Sequence, residues 1–258
     1  MSEAVAIIPG ETPVNTEALS LMRRLTIVCA LIVLSTALFG CGQSALEQQV
    51  NRCLAFKESP SDSEAVVSAG DKAIPLVFNG LRASHSDRRR YLAEGLVMEM
   101  RVRKTVDPSA PAIRRVLADK KEISAVRVAA ANMLVSFWDC PAVESDLRSV
   151  GGSDSVLTVR ARCIAALGGV TENRILRTGC WQVSGSTQHL LSMAIKDRSP
   201  LIRREACRVV VDIASGARHT HVHLDWCGAL IRECEHDPDK ETALLARQWL
   251  RRGVAGSK

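Results

Sequence analysis

The chain has 258 residues with 34 basic and 28 acidic side chains, a net charge of +6, and its residues are 47% hydrophobic but only 3% aromatic. So few rings exclude a base-stacking platform for nucleic acid. The mild positive excess points instead to acidic partners such as anionic headgroups, cell-wall polymers or acidic protein faces.

Residues 1–21 carry Glu3, Glu11, Pro13 and Glu17 ahead of the first basic pair. They read as a gene-model extension before a true start at Met22, or as a disordered leader. Residues 22–40 have the layout of a secretory signal: Arg23 and Arg24, an uncharged run from Leu25 to Leu38, then small residues beside Cys41. A helix over 25–40 would reach about 24 Å, short of the roughly 30 Å hydrocarbon core, so the run reads as removable rather than spanning. Leu38-Phe39-Gly40-Cys41 resembles the bacterial lipoprotein lipobox, although Phe39 is bulkier than the residue usual in its slot. That resemblance implies cleavage before Cys41 and acylation of its thiol. Gly42, following the cysteine, implies the outer membrane facing the periplasm if the cell is Gram-negative. An ordinary secreted protein and an uncut signal anchor are the alternatives.

Past residue 40 the charge is +7, and enough chain remains for one domain with a sizeable core. Residues 41–62 read as a linker after the anchor, 63–253 as the folded region and 254–258 as a disordered tail. A pattern recurs in the folded region: Asp, then an aliphatic next to Arg, then a small residue, then an apolar pair. The best copy has Asp197, Ile202-Arg203, Ala206 and Val209-Val210; another has Asp154, Val159-Arg160, Cys163 and Ala166-Leu167. A third places Lys121 in the acidic slot, before Val126-Arg127, Ala130 and Met133-Leu134. A weaker copy has Arg89-Arg90, Ala93 and Leu96-Val97, and the last has Asp237, Thr242-Ala243, Ala246 and Trp249-Leu250. Positions 90, 127, 160, 203 and 243 are 37, 33, 43 and 40 residues apart, the spacing of stacked helix pairs.

In the best copy Ile202, Ala206, Val209, Val210 and Ile213 share one helix face. Pro200 suits the first turn and Gly216 the exit. A shorter amphipathic stretch precedes each copy, at 73–83, 110–119, 142–149, 188–196 and 222–235. No useful strand pattern occurs outside 219–223. The predicted fold class is all-α, an α-solenoid of about five helical hairpins.

The aliphatic-Arg, small-residue and apolar-pair slots resemble HEAT repeats, in particular the short bacterial kind found in phycobiliprotein lyases. The resemblance implies a ladder in which Asp154, Asp197 and Asp237 meet Arg127, Arg160 and Arg203 of neighbouring repeats, with Arg90 in the same row. It also implies a concave side lined by the second helix of each pair. Arg204 with Arg208, and Arg247 with Arg251, sit four apart on one helix side and are candidates for a positive binding face there.

Nine cysteines are many for this length. Cys163 falls in its small-residue slot and Cys207 beside one, and both read as buried thiols. Cys140 and Cys180 fall in inter-helix connections one repeat apart and are the first choice for a bridge in an oxidising compartment. His219, His221 and His223 alternate, so an extended backbone would point them one way and let them share a metal; the competing reading is a polar connection between helices. No catalytic residue is identified: neither a Gly-x-Ser-x-Gly elbow nor a phosphate-cradling loop is present.

These observations predict a lipid-anchored scaffold or adaptor of the bacterial cell envelope, with no cofactor. It would hold a protein partner or anionic envelope component, not nucleic acid, and meet the membrane through its lipid. A metal-binding or enzymatic protein using 219–223, and a chromophore lyase-like HEAT protein, are the alternatives.

Overall fold

The computed structural model describes residues 43–84, 86–179, 181–219 and 224–255, which form twelve α-helices and two short 3-10 turns, with no strand among the described residues. The helices are α1 (Ala45–Leu54), α2 (Pro60–Ala69), α3 (Ile74–Ala83), α4 (Asp87–Val102), α5 (Pro111–Ala118) and α6 (Ser124–Leu134). They continue with α7 (Pro141–Ser153), α8 (Leu157–Thr178), α9 (Gly185–Ile195), α10 (Pro200–His219), α11 (Asp225–Cys234) and α12 (Lys240–Ala255). The all-helical expectation holds. Prolines mark the starts: Pro60, Pro111, Pro141 and Pro200 each open a helix, where the missing N–H costs no intrahelical bond.

Packing follows chain order. Each odd-numbered helix packs on the even-numbered helix after it. Each odd-numbered helix also touches the next odd one, from α1–α3 through α9–α11, and each even-numbered helix the next even one, from α2–α4 through α10–α12. The reason is visible on α10, where Ile202, Ala206, Val209, Val210 and Ile213 are all buried. Each fully buried aliphatic side chain contributes roughly 1.5–3 kcal/mol. The buried apolar side chains form two clusters that meet on α8: Cys163, Leu167 and Val170 join the N-terminal one, Ala161 and Ile164 the C-terminal one. The approach of α8 to α10 is close enough to require glycine, since a Cβ on Gly168 would lie 2.8 Å from Val209.

Two local expectations are corrected. Residues 45–62, read as linker, contain α1 and the start of α2; Leu46, Val50, Cys53 and Leu54 repeat at helical spacing, and the last three are buried. Gly216 does not end its helix: α10 continues to His219, and a Cβ at 216 would meet the Trp181 ring at 3.0 Å. Gly151 and Gly152 lie within α7, where a Cβ on Gly151 would make ordinary 3.4 Å contacts with Cys163 and Ile164. No described helix is long and apolar enough to cross a membrane. Residues 1–42, with Leu38, Phe39, Gly40 and Cys41 of the lipobox-like ending, lie outside the described residues.

Candidate functional site

Three arginines cross from one helix pair to the turn of the next. On α6, Arg127 donates from Nη2 to Asp154 Oδ2 at 2.5 Å and from Nη1 to Oδ1 at 3.3 Å. Its Nε donates to the Leu117 carbonyl at the end of α5, at 2.9 Å. The pair is sealed, with side chains 2% and 3% exposed. On α8, Arg160 is ion-paired to Asp197. On α10, Arg203 grips Asp237 through Nε at 2.7 Å and Nη2 at 3.0 Å, and donates to the Asp197 carbonyl at 3.0 Å. Each arginine thus meets a carbonyl near the end of its own pair's first helix, where acceptors lack helical donors. It also neutralises the acid that shapes the next turn. Those aspartates accept backbone N–H bonds two residues on: Val156 at 2.9 Å, Ser199 at 2.8 Å and Asp239 at 2.7 Å. The Arg127 guanidinium, above all, holds the Asp154 carboxyl below its ordinary range. Burial pushes Asp197 upward, but the Ser199 N–H and Arg160 outweigh it and the net shift is down.

Arg90 differs. It pairs with Asp87 on its own helix at 2.7 Å, and Asp87 is almost fully exposed. Its neighbour Arg89 instead reaches the Gly80 carbonyl of α3, at 3.2 Å. The turn after α5 explains the difference. Asp119, not Lys121, accepts the turn bond there, from Lys121 N–H at 2.9 Å. The loop is two residues longer than the repeat spacing assumes, so the acidic slot lies out of register with Arg90.

Sequence reasoning missed Glu144. This buried carboxylate of α7 takes Arg174 of α8 at 2.5 Å and Arg148 at 2.6 Å, and Ser184 and Thr187 of α9 at 2.8 Å each. Burial drives its pKa up, but these donors overcome that and hold it below the ordinary value. A lone acid has no periodicity, so only the run of hydroxyls opening α9 hinted at it.

The proposed positive face spends most of its charge inside the molecule. Arg204 pairs with Asp239 at 2.9 Å and with Glu241. Arg208 pairs with Glu205 at 2.6 Å. Arg247 donates to the Glu235 carbonyl that ends α11, at 3.0 Å from Nη2, while Arg251 is exposed. His219 closes α10 rather than opening an extended segment; His221, His223 and Cys180 fall outside the described residues. Among the described residues no three His, Cys, Asp or Glu side chains are grouped to hold a metal. Cys163 and Cys207 are free and buried, and Cys140 is free and half-buried.

A groove of about 770 Å³ lies on the even-numbered helices, along α2 and α4 to the end of α6. Val67, Leu96 and Val135 give it an apolar floor, and Tyr91 and Met98, 75% and 55% exposed, stand at its edge. Its charge is acidic. Glu58, Glu64, Glu94 and Glu99 line it against one base, Arg103, which is already taken by Glu64 at 2.5 Å and Glu99 at 2.7 Å. Glu94 accepts from Asn132 at 2.5 Å, and burial raises its carboxyl above the ordinary value despite that bond and the more distant Arg90 and Arg162. One carboxylate oxygen of Glu58, Oε2, is buried with no hydrogen-bond partner among the described residues.

No protein-family model matches the chain, and no curated protein matches it.

Proposed function

We propose that this chain is a lipid-anchored, HEAT-like α-solenoid that serves as a scaffold or adaptor in a bacterial cell envelope, holding a protein partner on the face of its even-numbered helices. The observation that carries the solenoid reading is the arginine-aspartate bond repeated at three successive junctions, Arg127–Asp154, Arg160–Asp197 and Arg203–Asp237. A bond that recurs at the repeat period is what stacked pairs need, because each pair buries its apolar side only against its neighbours. No reaction is required. A protein partner is favoured over an anionic polymer because Arg204, Arg208 and Arg247 already have acceptors in the chain. The anchor rests on residues 22–41. Acyl chains contribute about 0.8 kcal/mol per buried methylene, so two or more hold a protein to a membrane with little reversibility.

Membrane fractionation with fatty-acid labelling tests this, comparing wild type with Cys41→Ser. The expected result is a labelled membrane-bound wild type and an unlabelled variant that leaves the membrane or keeps its signal. A wild type found soluble inside the cell would overturn the reading.

A further inference from the structure

We infer that the groove along α2, α4 and the end of α6 is a docking site for a cationic amphipathic segment of a protein partner, an apolar side chain flanked by lysine or arginine. The inference rests on the scaffold reading and names the chemistry of what the scaffold holds. The volume, about 770 Å³, is that of a well-formed ligand pocket and accepts more than one large side chain. Its apolar floor of Val67, Leu96 and Val135 gains by covering.

Charge complementarity selects the occupant. Arg103 is consumed by Glu64 and Glu99, so Glu58 and Glu94 are left without a cation bonded to them among the described residues. Covering these two carboxylates with a neutral or acidic partner would strip their water and return nothing, which is costly for a buried charge. A lysine or arginine restores the interaction with these carboxylates. The choice is specific to this place, because the chain as a whole carries +6 and repels a basic peptide at long range. Attraction must then come from the groove itself. Tyr91 and Met98 add rigid and adaptable apolar contact at its rim, the residue types favoured in recognition surfaces.

The test is fluorescence anisotropy on the purified full chain with three short labelled peptides. One has leucines at helical spacing with lysines elsewhere, one has glutamates in place of the lysines, and one has serines in place of the leucines. The lysine-leucine peptide is expected to bind at least about tenfold more tightly than either control. Glu58→Gln and Glu94→Gln together, or Tyr91→Ser with Met98→Ser, should each weaken it about tenfold or more. Leu176→Ser, an exposed apolar position on α8 outside the groove, should not. The tyrosine and methionine are exposed, so that pair of changes keeps the test valid if the glutamate variant misfolds. Equal binding of the glutamate peptide, or wild-type affinity in the groove variants, would overturn the inference. Its failure is separable from that of the scaffold reading: the Cys41→Ser fractionation stands or falls without any peptide.

Discussion

Arg127 meets two unrelated needs with one side chain: it satisfies the end of α5 and neutralises Asp154. A buried ion pair of this kind is weak evidence of net stability, but removing one member leaves a charge stranded in the core. Arg127→Ala is therefore expected to destabilise the chain by about 3–5 kcal/mol, whereas Arg127→Met with Asp154→Leu should cost far less. Urea denaturation of both variants measures this; equal losses would show that the stranded charge is not the cause. The same pair gives a pH dependence. The folded Asp154 carboxyl titrates below its unfolded value, so its contribution is complete above about pH 5 and is lost as pH falls through about 4 and lower. The urea midpoint of wild type should accordingly fall more steeply below about pH 4 than that of Asp154→Asn.

At the scale of the element, what can be read from sequence depends on whether a residue belongs to a periodic set. The buried face of α10 was legible because Ile202, Ala206, Val209, Val210 and Ile213 repeat at helical steps. The helix α1 obeys the same rule through Leu46, Val50, Cys53 and Leu54, but its polar Glu47, Gln48 and Gln49 and its place after the signal masked it. Asp119 was passed over because a fixed spacing was imposed on a turn two residues longer than its fellows. The groove was illegible for another reason: Glu58, just ahead of α2, meets Glu94 and Met98 of α4 only through packing of the helices. Gly70 and Gly179 cap α2 and α8, whereas Gly168 and Gly216 serve close contacts inside their helices. Gly168→Ala should destabilise by about 1–3 kcal/mol, because the added methyl meets Val209 of α10. Adding Val209→Ala should recover part of that loss. A double-mutant cycle with no coupling would mean that α8 and α10 do not approach as described.

For the molecule as a whole, α8 is the one described helix that gives buried side chains to both apolar clusters. Much of the cooperativity between the N-terminal and C-terminal helices therefore passes through it, with Leu190 and the Glu144 bonds to Ser184 and Thr187 joining α7 to α9 beside it. Arg160, reaching from α8 to Asp197 ahead of α10, sits at this junction. Arg160→Ala should speed amide hydrogen exchange in α9–α12 while leaving α1–α5 near wild type. Protection lost evenly along the chain would argue for a single indivisible core. The junctions are also unequal. From α6 onward each seam is riveted by an arginine at least four-fifths buried. Between α3–α4 and α5–α6, Arg90 is spent on exposed Asp87, and the seam is bridged instead by Arg82 with Glu122 and Arg101 with Asp139, where Arg82 and Asp139 are 39% and 42% exposed. Pairs that open to water contribute at most about 1 kcal/mol. This seam, fastened by pairs that open to water, runs beneath the acidic groove, so the jaw that would grip a basic visitor is also a joint held less firmly than those further along the chain.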